Sequence, residues 1–377
     1  MRILLVSASY RPFPSGVSEH VHHLAMELHR RGHKVHILTT NYHPKTKLNT
    51  STSTPFPIAR IGKALILPSN RSHFVLPVGL KLPLQVREFL CKNQFDIVHC
   101  HGVFPPEISY WAIRYSSAPV VVTFHTLRKQ LPIFVRKGFQ ALFPDLNRKI
   151  KVKIAVSQAA KNFFQAWFLG EYHIIPNGVD LTRFRTDPHP AHCLEKDKPY
   201  ILYVGRLDWR KGVLVLIRSL PFILKSHPEA TLVVVGTGPL ESKAKRLCIR
   251  LGIEKSVIFT GYVPPEELPG YYSGCTLYVS PALSGEAMGI VLLEAMASGK
   301  PVIASAISGY NEVVTDKETA ILVPPGDAQR LAEAINQLLD SPELCQHLIQ
   351  KGLRHVTRFA WPVIAQDIEA LYEKALS

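Results

Sequence analysis

The stretch SGEAMGIVLLEAMASGKPVIAS, residues 284–305, is mostly small and apolar, yet it keeps two glutamates, Glu286 and Glu294, eight positions apart. Ser280 and Pro281 end a strand, ALSGEAMG forms a loop, IVLLEAMASG has helical character with Gly299 as its stop, and Lys300–Ile303 runs into another strand. Strand, loop, helix and strand in that order are the unit of a parallel α/β sheet. Glu286 then lies before the helix and Glu294 about one turn inside it. The amides of Met288, Gly289, Ile290 and Val291 point out of the helix N-terminus, which suits an anion such as a diphosphate. Gly289 lets a ligand approach the backbone closely. The plainer reading makes Glu286 a solvated loop residue and Glu294 part of a polar helix face.

The same alternation extends outward in both directions. RILLVSASY, KVHILTT, FDIVHCHG, PVVVTFH and KIAVS are strands of a first half, and VSEHVHHLAMELHRRGH is a helix stopped at Gly32. YILYVGR opens a second half, followed by a helix from about Lys211 and by ATLVVVGTG, SVIFTGYV, LYVSPA and PVIASAISG. A length of 377 residues fits two domains. The join falls within Ile175–Pro190, giving domains 1–178 and 179–359, with a final helical segment 360–377. Two facing parallel sheets would place a ligand site at their carboxyl strand ends, in the cleft between them. The six cysteines form no CxxC pair, so neither a zinc ribbon nor a disulfide framework is expected. No apolar run reaches the roughly 18 residues of a membrane span, and the start MRILLVSASY is too short an apolar stretch for a signal peptide.

A second motif faces the first. YVGRLDWRKG, residues 203–212, puts Arg206 just past a strand end and Lys211 at a helix start. Two fixed cations there would neutralise a diphosphate and stabilise it as it departs. Eight helical positions span about 12 Å, the scale of a nucleotide sugar, so one glutamate could hold the sugar and the other the ribose. The plain alternative is that both cations are surface residues.

These stretches resemble those of a known family, the retaining glycosyltransferases of family 4 (glycosyl transferase group 1). SGEAMGIVLLEAMASGKPVIAS is similar to that family's E-x7-E segment, GRLDWRKG to its Gly-Arg-Leu…Lys-Gly motif, and IIPNGVD to its junction motif. PSGVSEHVHHLAMELHRRGHKVHILTT resembles its first glycine loop, and FAWPVIAQDIEALYEKAL its helix crossing back to the first domain. The resemblance covers nearly the whole chain, in order. It implies a GT-B fold: two facing Rossmann-like parallel-sheet domains with an interdomain cleft, the first binding the acceptor and the second the nucleotide sugar. It implies that Glu286 contacts the donor sugar, Glu294 the ribose, and Arg206 and Lys211 the diphosphate. Gly16 would approach the diphosphate, Tyr262 and Val263 the base, and His125 the reacting centre. The first loop reads Ser15-Gly16 where the family has two glycines, so only Gly16 carries over. Transfer would retain configuration, and the leaving diphosphate could itself accept the proton. No metal or other cofactor is implied. His20 and His23, at i and i+3, are a formal metal pair, but a half-exposed helix face is the expected reading.

Charge is uneven. Residues 1–185 hold 25 Lys and Arg against 8 Asp and Glu, net +17; residues 186–377 hold 19 against 21, net −2. Leu127–Lys153 carries eight Lys or Arg and one acid, Asp145, interleaved with aromatic and aliphatic residues. A cationic amphipathic stretch of this kind is expected at an anionic membrane surface, the alternative being a helix packed on the core with a solvated basic face. Tyr10, Thr126, Arg128, Lys129, Arg136 and Lys137 are the candidate acceptor and membrane residues. The expected acceptor is a lipid or lipid-linked glycan at the cytoplasmic membrane face; a soluble sugar or glucan acceptor is the same-fold alternative. A nucleic-acid-binding or scaffold role for the basic half is the alternative of another class, but no RNA- or DNA-binding module is present and no nucleic-acid partner is expected. Oligomeric state is not legible.

Overall fold

The computed structural model describes residues 1–13, 15–42, 54–69, 72–79, 81–126, 132–185, 191, 194 and 198–377, without the side chains of 66–69, 72–74 and 76. The chain divides into two compact units, Met1–Gly178 with Trp361–Ser377, and Val179–Ala360.

The first unit is built on an eight-stranded sheet. Its strands are β1 (Arg2–Val6), β2 (Lys34–Asn41), β3 (Ile58–Ser69), β4 (Ser72–Val78), β5 (Ile97–Cys100), β6 (Val120–Phe124), β7 (Ile150–Ala155) and β8 (His173–Ile174). They lie in the order β4-β3-β2-β1-β5-β6-β7-β8, and only β3 with β4 pairs antiparallel. The central strands bury nearly every side chain, as a sheet covered on both faces requires. Helix Gly16–Arg30 follows β1. Its start is fixed by Ser15, whose hydroxyl accepts the Ser18 amide hydrogen at 3.1 Å, so the serine that replaces a glycine of the family pattern serves as an N-cap. Val21, Leu24, Ala25 and Leu28 form the buried stripe of this helix. They share one core with Ile364, Ala365, Ile368 and Tyr372 of the final helix, Trp361–Leu376. Each fully buried aliphatic contributes about 1.5–3 kcal/mol, so the last sixteen helical residues are integral to a unit that begins at residue 1.

The second unit has a six-stranded sheet of β9 (Tyr200–Val204), β10 (Thr231–Val235), β11 (Val257–Gly261), β12 (Leu277–Ser280), β13 (Val302–Ser305) and β14 (Ile321–Val323). The order is β11-β10-β9-β12-β13-β14, and the paired strands are parallel.

Two expectations change here. The helix placed at about Lys211 is a 3-10 turn, Trp209–Lys211, followed by the α-helix Val213–Leu224. Gly212, at φ +71°, breaks the two apart. The basic stretch 127–153 is not one amphipathic element either. It contains helices Ile133–Leu142 and Pro144–Lys149, and then enters the sheet as β7, where Lys153 is buried. Arg128 and Lys129 lie outside the described residues.

Candidate functional site

Both sheets reverse their strand order beside their first strand, and such a reversal opens a crevice at the carboxyl ends of the strands. In the second unit the reversal lies between β9 and β12, which are hydrogen-bonded neighbours. The loops leaving these strands are laced together. The Leu283 amide donates to the Arg210 carbonyl at 2.6 Å, and a Cβ on Gly212 would overlap the Pro281 carbonyl oxygen. Asp208, fully buried, accepts from both the backbone and the guanidinium of Arg210 at 2.9 Å.

On that frame Lys211 Nζ meets Glu286 Oε1 at 2.8 Å, both side chains largely buried. The Glu286 backbone rests on Gly309, where any Cβ would strike its carbonyl oxygen. Gly289, at φ +89°, starts helix Ile290–Ala297, and its Cα packs against the Tyr310 ring. Tyr310 in turn pairs with Ser280 Oγ at 2.6 Å. Glu294 accepts the Tyr272 hydroxyl at 2.8 Å. Tyr203 donates to the Arg206 carbonyl at 3.1 Å and holds the turn that carries the guanidinium. Burial pushes the phenols of Tyr203, Tyr272 and Tyr310 well above their ordinary range, and the charge of Glu286 or Glu294 adds to the effect, so all three remain neutral donors.

The structure therefore brings Arg206, Lys211, Gly289, Ile290, Val291, Glu286 and Glu294 to the carboxyl edge of one sheet. Met288 is different: its side chain belongs to the core, so only its backbone can face a ligand. Tyr262, 59% exposed, and Val263 follow β11, two strands from β9. Sequence reading missed Tyr272, Tyr310, Ser280 and Gly309. A glycine shortly after SAIS was the only local signal among them.

In the first unit the reversal lies between β1 and β5, and the crevice chemistry is imidazole. His101 Nδ1 and His125 Nε2, at the ends of β5 and β6, are 2.9 Å apart. His20 Nδ1 bonds Asn177 Oδ1 at 2.9 Å. His99 uses both nitrogens, one with Tyr372 Oη and one with Thr123 Oγ1, each at 2.7 Å. Ring nitrogens of His20, His101 and His125 lie within 4.8 Å of one another, close enough to hold a metal ion. Burial, then mutual repulsion, pushes His20 and His99 down to about 3 and His101 and His125 well below their ordinary value, so the cluster is neutral at pH 7.

Two expectations about this unit are corrected. His20 is 1% exposed, not on a half-exposed face, because Asn177, Trp361 and the other histidines cover it; its cluster partners are His101 and His125 rather than His23. Tyr10 is fully buried, its hydroxyl 3.0 Å from His22 Nδ1, so it cannot present itself to an acceptor. His101 bonds His125 directly. Gly16 and Thr126 are exposed. Helix Ile133–Leu142 buries no residue fully. Phe139 and Gln140 attach it through Phe104, Phe168 and the Trp167 carbonyl, while Ile133, Phe134 and Leu142 are 61%, 72% and 76% exposed beside Arg136 and Lys137. No described helix is long and apolar enough to cross a membrane.

Comparison with known proteins adds the following. The profile of glycosyltransferase family 4 matches residues 14–183, and that of glycosyl transferases group 1 matches residues 185–355. The phosphatidyl-myo-inositol mannosyltransferase of Mycobacterium leprae is 33% identical over 376 residues, 99% of this chain and 96% of that protein. The alpha-monoglucosyldiacylglycerol synthase of Streptococcus pneumoniae is 25% identical over 95% of this chain and 82% of its own length. Among solved structures, a glycosyltransferase from Rickettsia africae superposes with a TM-score of 0.80 at 21% identity, covering 100% and 98% of the two chains. Anabaena HepE in complex with UDP-glucose superposes with a TM-score of 0.78 at 22% identity, covering 99% and 100%.

Proposed function

This chain belongs to the group 1, family 4 glycosyltransferases and has their GT-B fold, and from that premise we propose that it moves a sugar, with retention of configuration, from a nucleoside diphosphate sugar to a hydroxyl of a membrane lipid headgroup. The observation that carries the donor half is the set of two cations and two carboxylates, Arg206, Lys211, Glu286 and Glu294, around a helix N-terminus at one sheet reversal. A diphosphate entering there competes with Glu286 for Lys211. The exchange places the ammonium on phosphate and turns the carboxylate toward sugar hydroxyls, so each charge keeps a partner throughout. Glu294, oriented by Tyr272, offers its carboxylate to the ribose. The acceptor oxygen then bonds to the anomeric carbon as the bond from that carbon to the β-phosphate oxygen breaks. The departing phosphate oxygen takes the acceptor's proton, on the same face of the ring. Arg206, Lys211 and the helix amides stabilise the charge that develops on the leaving group. In this reading they supply the positive charge a metal would otherwise bring, and EDTA is expected to leave turnover unchanged.

The lipid acceptor rests on two supports. The relatives named for phosphatidyl-myo-inositol mannosyl transfer and for monoglucosyldiacylglycerol work on lipids by their names. This chain also exposes Ile133, Phe134 and Leu142 beside Arg136 and Lys137, in a half that carries net +17. Apolar side chains flanked by cations suit the interface of an anionic leaflet, on the inner face of the membrane, better than bulk water. The test is a melting-temperature panel of UDP-, GDP-, ADP- and TDP-sugars on wild type and Glu294→Ala, followed by transfer to phosphatidylinositol, to diacylglycerol and to soluble sugars. One base raising the melting temperature, less so in the variant, with product only on lipid, is the expected result. Product on soluble sugar alone overturns the lipid acceptor; no response to any nucleotide overturns the donor site.

A further inference from the structure

The histidine cluster of the first unit has a hydrogen-bond logic of its own. Between His101 Nδ1 and His125 Nε2 lies one proton, and two arrangements compete for it. In the first, His101 donates, which leaves a bare lone pair on its Nε2. In the second, His125 donates, and His101 must carry its remaining hydrogen on Nε2. That Nε2 is buried and has no partner, and so is Nε2 of His20. A buried N–H without an acceptor costs more than a buried lone pair without a donor, so the first arrangement wins. The Asn177 side chain fits the same arrangement. Its Oδ1 faces His20 Nδ1, and its bond to His125 favours a protonated nitrogen there. With His125 Nε2 already accepting from His101, the nitrogen donating to the amide is Nδ1.

We propose that His101 is a positioning residue: by donating its Nδ1 hydrogen to His125 Nε2 it fixes His125 as the neutral Nδ1–H form and fixes the angle of its ring. The fixed form gives His125 one donor edge, its Nδ1–H, held by Asn177. It also leaves no vacant nitrogen on which a second proton could sit. His101 is itself immobilised. Its ring lies 4.4 Å from that of His99, tilted by 31°, and 5.2 Å from that of His125, with His20 edge-on at 5.3 Å. His99 cannot turn, since both its nitrogens are engaged. The groups acting electrically on His101 and His125 are His99, His20 and each other, together with the Asn177 amide. The consequence for catalysis rests on the placing of His125 at the reacting centre.

The test uses the full chain with 15N-labelled histidine, assigned by loss of a signal set in His125→Gln. Long-range 15N–1H correlation is expected to report His125 as the Nδ1–H form from pH 7.5 down to pH 5. His101→Phe fills the ring volume without the donor. It should release His125 to a mixture of Nδ1–H and Nε2–H tautomers, still neutral because burial is unchanged, and lower kcat by about 10- to 100-fold while donor KM holds. His101→Asn restores an N–H at the Nδ1 position and should recover most of that loss. An Nε2–H form of His125 in wild type, or an unchanged tautomer in His101→Phe, overturns the proposal. So does a bound metal whose removal changes the His125 signals. A wild type that transfers no sugar overturns the functional reading, while the tautomer result stands or falls by itself.

Discussion

The two sheet reversals share a topology and differ in chemistry. Each lies between the first strand of its unit and the strand hydrogen-bonded on its other side, β1 with β5 and β9 with β12. Around β9 and β12 the groups are ionic, with a lysine and a glutamate 2.8 Å apart and buried phenols behind them. Around β1 and β5 they are imidazoles that burial keeps uncharged. The net charge of the chain runs the other way: the basic first 185 residues enclose the neutral cluster, and the nearly neutral remainder encloses the ionic one. A domain's net charge thus describes what its surface attracts and says little of what its crevice does. The ionic crevice suits a ligand that brings its own charge, and the neutral one suits hydrogen bonding to an uncharged group.

The sharpest way to separate the two is acid. His20 and His99 titrate at about 3 when folded against an ordinary 6.5. Below pH 6.5 the unfolded chain binds protons that the folded one refuses, so stability is full above that value and is lost as the pH falls toward 3. Between neutral pH and pH 5 each of these two histidines removes about 2 kcal/mol, roughly 4 kcal/mol together. Hydrogen exchange at pH 5 and pH 7 should show β1, β5 and β6 opening far more readily in acid while β9 and β12 change little. Equal acid sensitivity in the two units would break the contrast.

Next in size is the loss of charge from the other crevice. Lys211→Met should lower kcat by about 10²- to 10³-fold, the usual cost of removing one preorganised group that stabilises a developing negative charge. It also leaves Glu286 without its ionic partner, so ground-state binding of the diphosphate weakens as well. Steady-state transfer kinetics check both effects. Unchanged kcat would mean the lysine serves only to neutralise Glu286.

Tyr272→Phe is a smaller change that tests the second layer. The hydroxyl holds Glu294 at 2.8 Å, and the phenyl ring keeps the packing against Phe184 and Tyr278. Donor KM should rise about 10-fold, the scale of one hydrogen bond to a charged group, with kcat nearly unaltered. A change in kcat alone would place Glu294 at the reacting centre instead of the ribose.

Tyr272 also marks where sequence legibility stopped. The strand alternation, the glutamate spacing and the Arg206–Lys211 pair are local patterns, and period and composition are enough to read them. Tyr272 and Glu294 are 22 residues apart, Gly309 reaches under Glu286 from another strand's loop, and Asn177 covers His20 across 157 positions. Such pairings exist only once the sheet order is set. The same cause explains Tyr10 and His20. Read from sequence, Tyr10 meets the acceptor and His20 lies on a half-exposed helix face; each is buried once the chain is folded. The basic stretch divides for another reason: its last residues carry the β-branched pattern of β7 and join the sheet, so the cationic amphipathic character is kept on helix Ile133–Leu142.

The smallest effect concerns the surface of the basic unit. On helix Ile133–Leu142, Lys137 is exposed at a position where no described core contact depends on it. Lys137→Ala should weaken binding to vesicles containing anionic lipid by about 1 kcal/mol, roughly fivefold, and binding to neutral vesicles hardly at all. Phe134→Ser, removing a side chain 72% exposed, should weaken both by a similar factor, since insertion of an apolar ring does not depend on lipid charge. Neither substitution touches the histidines or the donor crevice, so turnover on a soluble donor analogue should stay constant. Flotation at several salt concentrations distinguishes the two components, because the lysine contribution fades as salt rises and the phenylalanine contribution persists. Equal salt sensitivity in both variants would mean that the helix meets lipid through charge alone, and that its exposed apolar residues face something other than a membrane.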